Sequence, residues 1–220
     1  MADSARHLGH IELILHELRT PVNVAAGSLA QLLEPDSDAL SAAQQPAITR
    51  AIRACSQMEQ LCEDLRDWAH VSGGEPMVTT TPLAPALKEA AKAAEATRRD
   101  TVHLLLPEDR RQDWRVRSPS GLLVRALTGI LAACLRTAPD RATVPVVVDD
   151  DPGLHELRIL VGAISPTPGD KFEAERMGGL GFALPLARAV IEAAGGRVWS
   201  AAGAGRGVGI GIGLSLPRSG

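Results

Sequence analysis

The sequence predicts an α+β protein in which a helical hairpin precedes an α/β layer sandwich. In the first 70 residues, apolar side chains recur at alternating gaps of four and three, a spacing typical of helices that share an apolar seam. After residue 77 the pattern changes to short β-branched runs that alternate with apolar helical segments, as in layered α+β folds. The two patterns indicate a hairpin domain followed by a sheet domain.

The hairpin consists of two predicted helices, from His10 to Leu33 and from about Ser41 to His70. The first seam is Ile11, Leu15, Leu18, Val22, Ala25, Leu29 and Leu32, and the second is Ile48, Ala51 or Ile52, Cys55, Met58, Cys62, Leu65 and Ala69. One hairpin leaves part of such a seam uncovered, whereas two copies packed as an intermolecular four-helix bundle cover it. We therefore expect a homodimer, with packing of the hairpin on its own chain as the alternative.

The change of pattern sets the expected domain boundaries. The glycine pair and proline of VSGGEP favour a linker over residues 73–77. We expect residues 1–72 to form the helical domain and residues 78–220 the α/β domain. In the latter the sequence predicts helices over Ala84–Arg98, Gly121–Arg136 and Leu180–Ala194, and strands in MVTTTP, TVHLLL, WRVRS, VPVVVDD, ELRILVGAI, RVWSAAG and GVGIGIGLSLP.

Composition excludes several classes of function. The net charge of −3 and the near absence of aromatic residues (no Tyr, two Phe, three Trp) argue against nucleic-acid and anionic-membrane partners. No apolar run approaches the ~20 residues of a membrane span, and the first residues lack a signal-peptide layout, so we expect a cytoplasmic protein. Cys55, Cys62 and Cys134 are predicted to be buried free thiols rather than disulfides or metal ligands.

The stretch ILHELRTPVN, residues 14–23, places several polar groups in one helical turn. His16 lies beside the seam and is expected to face solvent, where an imidazole is a nucleophile near neutral pH. Glu17 is placed to fix its tautomer or to act as a base, and Pro21 removes a backbone donor and should bend the helix. A surface histidine without function is the alternative, which His16 alone would not exclude.

The string His-Glu-Leu-Arg-Thr-Pro, residues 16–21, resembles the H-box of bacterial sensor histidine kinases. The resemblance implies that this is the dimerisation and phosphoacceptor helix, in which His16 carries the phosphoryl group and Glu17 assists its transfer. Glu17 and Thr20 match the motif used for dephosphorylating a partner response regulator. Arg19 and Pro21 would help to position and dock that partner.

The second half resembles the ATP-binding domain of the same kinases, but its nucleotide motifs are degenerate. Gly179 and Gly181 match the last glycine box. The family's Leu-x-Asn-Leu-Leu-x-Asn-Ala helix, whose second Asn holds magnesium, corresponds to LTGILAAC, with Gly129 and Ala133 at the Asn positions. In the family's Asp-x-Gly-x-Gly motif the Asp binds the adenine amine; here Ala163 stands at the Asp position, and Ser165 and Thr167 stand at the two Gly positions. The mobile lid that covers the nucleotide in the family corresponds here to the short segment GDKFEAERM, residues 169–177.

These patterns favour a two-component phosphorelay protein that binds response-regulator receiver domains and a second copy of itself. His16 would accept and donate a phosphoryl group, without a cofactor or a metal, and ATP binding and autophosphorylation are expected to be lost. One alternative is an authentic ATP-dependent sensor kinase with a diverged pocket. Others are a non-catalytic kinase- or regulator-binding module and a phosphatase that uses Glu17 and Thr20.

Overall fold

The chain divides into two compact units, residues 1–66 and residues 67–220. The computed structural model describes residues 14, 17–18, 20–25, 27, 44–73, 78–96, 103–105, 114–119, 121–151, 153–162, 164, 182–201 and 209–219. In the first unit, residues 14, 17–18, 20–25 and 27 are helical. Helix α1 (Gln44–Gly73) begins in the first unit and continues into the second. The two helices of the predicted hairpin are thus confirmed, and the turn between them lies outside the described residues.

The buried line of α1 differs from the predicted seam. Ala47, Ala51 and Ala54 are 0, 8 and 2% exposed, whereas Cys55 and Cys62 are exposed. The prediction that these two thiols are buried is therefore wrong for a single chain. The three alanines recur along the helix at the same spacing as Ile48, Ile52 and Cys55 of the predicted seam, each one position earlier in the sequence. The alanines are the buried line because a helix packs most closely through its smallest side chains.

The second unit contains every helix and strand that the sequence predicts. Its helices are α2 (Leu83–Glu95), α3 (Leu123–Thr137) and α4 (Ala183–Ala193). Its strands are β1 (Val78–Pro82), β2 (His103–Leu105), β3 (Arg115–Pro119), β4 (Thr143–Asp151), β5 (Glu156–Val161), β6 (Arg197–Ala201) and β7 (Gly211–Pro217). The limits of domains and linker at residues 72 and 78 stay a prediction.

Five of these strands form one mixed sheet in the order β2-β4-β5-β7-β6. Strand β2 runs parallel to β4, and the other neighbours are antiparallel. Strands β1 and β3 form a separate antiparallel pair, which an isolated bridge from Val116 to Arg218 joins to the end of β7. This arrangement confirms the predicted α+β layer sandwich.

The core lies between the sheet and the three helices. Leu157, Ile159 and Val161 alternate along β5 and are 0–1% exposed, because every second side chain of the strand faces the helices. Helix α3 lies centrally in the helical layer and packs against both α2 and α4. Its residues from Gly129 to Leu135 are all buried, so this stretch has no free face for a polar side chain.

The last turns of α1 belong to this second unit. The Trp68 ring meets Phe182 edge-on, with ring centroids 5.8 Å apart and an interplanar angle of 78°. Asp67 forms an ion pair of 2.6 Å with Arg125 of α3, and Val71 is buried in the core. Edge-to-face aromatic pairs contribute about 0.5–1.5 kcal/mol beyond area burial, so these contacts fix the end of α1 within the unit.

Glycines at the sheet edge are explained by packing. Helix α4 ends in a Schellman motif, in which the Gly195 N–H donates to Glu192 O and the Gly196 N–H to Ile191 O. In β7, a Cβ atom at Gly213 would overlap the ring of Trp199 on β6. Gly211 and Gly213 therefore lie in a closely packed strand pair, as predicted for this run.

Candidate functional site

The described part of the H-box is helical. Glu17 and Leu18 are half-buried, Thr20 is exposed and Pro21 is buried. The helical assignment continues through Pro21 to Ala25, since the proline removes one backbone donor without ending the helix. Glu17 and Thr20 lie three residues apart, so they occupy neighbouring positions on the helix surface. His16 and Arg19 lie outside the described residues.

Helix α1 carries an apolar stripe that the single chain leaves uncovered. We define this stripe as Ile48, Ile52, Cys55 and Cys62, whose spacings of four, three and seven place them along one side of the helix. Ile52 is 60% exposed, both cysteines are exposed, and Ile48 is half-buried. Exposed apolar side chains in one line mark an interaction site more often than an isolated apolar residue does, and the exposed Arg66 continues this line one turn after Cys62.

Gly129, which stands where the resemblance predicts the first Asn of the nucleotide motif, is a close helix contact. A Cβ atom at Gly129 would lie 3.0 Å from the Cβ and 3.0 Å from the carbonyl oxygen of Ala183, the first residue of α4. These distances are shorter than ordinary van der Waals contact. The start of α4 therefore occupies the space that a side chain at position 129 would need.

Ala133, which stands where the resemblance predicts the second Asn, faces the core. Ala133 is 0% exposed and belongs to the central cluster of apolar side chains. One turn later, Thr137 Oγ1 accepts the Ile210 N–H at 3.0 Å and lies 3.2 Å from Ala133 O. The helix thus uses this surface to hold the segment that leads into β7, and both Asn positions serve packing.

The end of β5, where the adenine-binding Asp would follow, is held by backbone contacts. Gly162 has a φ of +77°, and its N–H donates to Pro145 O at 2.8 Å. A Cβ atom there would lie 3.1 Å from Ile210 O. Ala163, Ser165, Thr167, Gly179 and Gly181 lie outside the described residues.

A cavity of about 220 Å³ lies beside these elements, at the end of α3. Its described lining carries no charged side chain and consists of Cys134, Ala138, Pro139, Ala142, Thr143, Val144, Pro145, Gly162, Gly209 and Ile210. A triphosphate requires cationic or backbone N–H partners. The described lining of this cavity suits apolar contact and offers no charge to a phosphate.

One lining residue has a perturbed thiol. Burial raises the pKa of Cys134 to about 12, and a hydrogen bond with the backbone of Ile212 opposes this shift. Since the thiolate is the reactive form of cysteine, this side chain is an inert member of the core at neutral pH. The prediction that Cys134 is a buried thiol is confirmed.

In the described ranges, no group of three or more His, Cys, Asp or Glu side chains is placed to hold a metal ion. Within the same ranges, no helix has both the length and the apolar character that crossing a membrane requires.

Residues 11–74 match the His Kinase A (phospho-acceptor) domain family. The match includes the H-box string and α1, and the α/β unit that follows has the layered fold of a kinase ATP-binding domain. Residues 11–74 therefore resemble the phospho-acceptor domain of histidine kinases. No curated protein sequence matches this chain significantly.

Solved histidine kinases share the fold of this chain. The Acinetobacter baumannii histidine kinase AdeS is 15% identical, with a TM-score of 0.67 over 93% of this chain and 98% of that one. The histidine kinase ThkA, in complex with the response regulator protein TrrA, is 14% identical, with a TM-score of 0.64 over 99% and 64%. Full-length ShkA, in complex with AMPPNP, is 18% identical, with a TM-score of 0.56 over 96% and 46%. At these identities the likeness concerns the fold.

The sequence shows which residues stand at the expected nucleotide-binding positions, but not what those residues contact. Gly129 at an expected Asn position is visible in the sequence, whereas its contact with Ala183 joins residues 54 positions apart. The role of Thr137 as an acceptor for Ile210 was missed as well. Its only sequence signal is a threonine in the last turn of an apolar helix.

Proposed function

We propose that this chain is a two-component phosphorelay protein that lacks ATP-dependent autophosphorylation. His16 accepts a phosphoryl group from one receiver-domain aspartate and donates it to another. The observation that carries the proposal is the close packing of Gly129 on Ala183, in a helix where the kinase family places a nucleotide-binding Asn. The H-box string lies within the match to the phospho-acceptor domain, which supports His16 as the residue that carries the phosphoryl group.

The loss of nucleotide binding rests on two missing polar contacts. The amide at position 129 has no room beside α4, and Ala133 offers only a methyl group inside the core. Charged or bidentate hydrogen bonds are each worth about 1.5–3 kcal/mol. Losing two of them weakens nucleotide binding by about 10²–10⁴-fold, at about 1.4 kcal/mol per tenfold change.

The transfer step needs no group beyond the two proteins. A neutral imidazole nitrogen of His16 attacks the phosphorus of the receiver's aspartyl phosphate. The N–P bond forms as the P–O bond to the aspartate breaks, and the aspartate leaves as a carboxylate. Glu17, adjacent in sequence, orients the imidazole by fixing its tautomer, and Arg19 and Pro21 position the docked receiver.

The active form is a homodimer that works in the cytoplasm. Its support is the uncovered stripe of α1, where Ile52 is 60% exposed in the single chain, because a second hairpin would bury this surface in a four-helix bundle. The partners are response-regulator receiver domains. ThkA was solved with a response regulator protein, and the α/β domain, residues 78–220, assists docking of a receiver here.

A phosphotransfer assay tests the proposal. The purified chain is incubated with a receiver domain whose aspartate carries a labelled phosphoryl group, and separately with labelled ATP and magnesium. We expect acid-labile label on the chain from the receiver only, lost in His16→Gln. The matched control is His70→Gln, which changes another histidine, exposed on α1, and should keep the label.

Each alternative gives a different result in the same assay. Label from ATP, or micromolar ATP–magnesium binding by calorimetry, would establish an authentic kinase with a diverged pocket. No label from any receiver, with full cellular activity of His16→Gln, would establish a non-catalytic binding module. Faster loss of phosphate from the receiver, abolished by Thr20→Ala, would establish a phosphatase, for which the exposed position of Thr20 is the supporting observation.

A further inference from the structure

The cavity at the end of α3 is bordered by small residues. It has a volume of about 220 Å³ and lies within the second unit. Its described lining includes Cys134, Ala138, Ala142, Gly162 and Gly209. Because the side chains at these positions are short or absent, they leave a space that the surrounding fold does not fill.

Backbone contacts hold the walls of this cavity in place. The Gly162 N–H, at the end of β5, donates to Pro145 O at 2.8 Å. The Ile210 N–H, just before β7, donates to Thr137 Oγ1 at 3.0 Å, and a Cβ atom at Gly162 would lie only 3.1 Å from Ile210 O. Since these segments already touch, they cannot move closer and close the cavity. The space is therefore preformed, as small-molecule sites usually are.

The polar groups of the described lining are occupied or absent. Four of its backbone N–H groups donate within the protein, those of Ala138, Ala142, Gly162 and Ile210. Pro139 and Pro145 have no N–H, and the Cys134 thiol is hydrogen-bonded to the backbone of Ile212. The one hydroxyl of this lining belongs to Thr143, which is exposed. A buried water molecule needs about two to four polar partners, so the described lining favours an apolar occupant over water.

We propose that this cavity is a binding site for a small, uncharged aromatic molecule of about nine heavy atoms. An apolar cavity of about 150 Å³ takes up benzene, a molecule of six carbon atoms. In the same proportion, about 220 Å³ accommodates about nine atoms, the size of two fused rings. A rigid ring system suits a preformed space because it loses little conformational freedom on binding.

A nucleotide does not fit this chemistry. The described lining carries no charged side chain to bind a phosphate. The ring nitrogens of a purine would lose their hydrogen bonds to water and gain none from N–H groups that already donate elsewhere, which costs affinity. The ligand class therefore differs from that of a kinase nucleotide site. The inference goes beyond phosphotransfer by His16 and does not rest on it.

Titration of the full chain with indene, followed by amide NMR, tests the proposal. Indene is a hydrocarbon of two fused rings and nine carbon atoms. We expect saturable binding of one indene per chain, with a Kd of about 0.1–1 mM and the largest shift changes at the amides of Gly162, Gly209 and Ile210. Benzimidazole, which has the same shape and two ring nitrogens, should bind at least about tenfold more weakly, and adenosine should not compete.

Two substitutions fill the cavity, and a third is the matched control. Ala138→Leu and Ala142→Leu each add three carbon atoms to the lining, and each should weaken indene binding at least about tenfold, because a close-packed interior leaves no room for both. Ala93→Leu adds the same atoms on the exposed side of α2 and should bind indene as the parent chain does. The urea midpoint of each variant shows whether it is folded.

The site of binding and the choice of ligand decide the outcome. The absence of saturable binding, or shift changes centred away from Gly162, Gly209 and Ile210, would overturn the proposal. Indene binding that both filling variants leave unchanged would overturn it too. Benzimidazole or adenosine bound as tightly as indene would show that the site is polar. If a filling variant does not fold, the shift map of the parent chain still decides the location, and label transfer to His16 reads phosphotransfer separately.

Discussion

Placing an Asn at position 129, where the kinase family has one, should destabilise the α/β unit. Gly129 is buried in α3, and a Cβ atom there would lie 3.0 Å from both the Cβ and the carbonyl oxygen of Ala183 and 3.3 Å from its carbonyl carbon. Ordinary carbon contacts are about 3.5–4.0 Å. The two helices must therefore separate by several tenths of an ångström before any further atom of the amide is accommodated.

The expected cost follows from three contributions. Overpacking a core typically costs about 1–3 kcal/mol, and a buried amide without a partner costs about 1–3 kcal/mol more. Replacing glycine inside a helix returns about 0.3–0.5 kcal/mol for Asn. The net loss of unfolding free energy in Gly129→Asn is about 2–5 kcal/mol. In Gly129→Ala it is about 0–2 kcal/mol, since the helix gains about 1 kcal/mol and no amide is buried.

Urea unfolding followed by tryptophan fluorescence measures this change. Trp68, Trp114 and Trp199 all lie in the second unit, so the signal reports on the unit that contains the substitution. At a slope of about 2 kcal/mol per molar urea, the midpoint of Gly129→Asn should fall by about 1–2 M. The matched control is Ala93→Asn on the exposed side of α2, which should lose less than about 0.7 kcal/mol, the ordinary difference in helix propensity.

Two results would refute this reasoning. If Gly129→Asn unfolds within about 0.5 kcal/mol of the parent chain, the contact with Ala183 is not the constraint that the distances indicate. If the double variant Gly129→Asn with Ala133→Asn binds ATP and magnesium with micromolar affinity, the nucleotide site lacks only the two amide side chains, and neighbouring residues do not occupy their space. The proposed source of the phosphoryl group would then be wrong.

Three further substitutions test the packing of the same unit. Gly213→Ala should cost about 3 kcal/mol in urea unfolding, because the new Cβ overlaps the Trp199 ring. Thr137→Val should cost about 1–3 kcal/mol by the same measurement, because the buried Ile210 N–H loses its acceptor at 3.0 Å. Burial raises the pKa of Cys134 from its ordinary value of 9.0 to about 12 in the folded chain, so the unfolded chain deprotonates first. Stability should therefore fall by about 1.4 kcal/mol per pH unit between pH 9 and 12, and Cys134→Ala should remove that slope.

The sequence predicts the elements of this fold well because each depends on local pattern. The Gly195–Gly196 pair predicts the end of α4, since the left-handed residue of a Schellman motif favours glycine. The β-branched runs around the DPG turn predict β4 and β5 for the same kind of reason. Local pattern, however, left the packed side of α1 ambiguous. Ala51 belongs to both candidate lines, and only the folded chain shows that Ala47 and Ala54, rather than Cys55, are buried.

The H-box string predicts His16, Glu17 and Thr20 as site residues because three chemical groups occur at fixed spacing in it, and this part of the site stays a prediction. The contact between Gly129 and Ala183 depends instead on how α3 and α4 approach each other, and no periodicity within α3 encodes that distance. The sequence shows that an amide is absent, whereas only the fold shows what took its place.

This distinction bears on where the phosphoryl group originates. A nucleotide site that had merely lost two Asn side chains would retain their volume, and restoring them would be a small step. Here the Ala183 backbone lies against position 129, and Ala133 is 0% exposed among core side chains. Helix α3 uses both positions for the stability of its own layer, so regaining the amides requires moving α4 as well. This packing supports the proposed function, in which the phosphoryl group comes from a partner, and the labelled-receiver assay measures that direction of transfer.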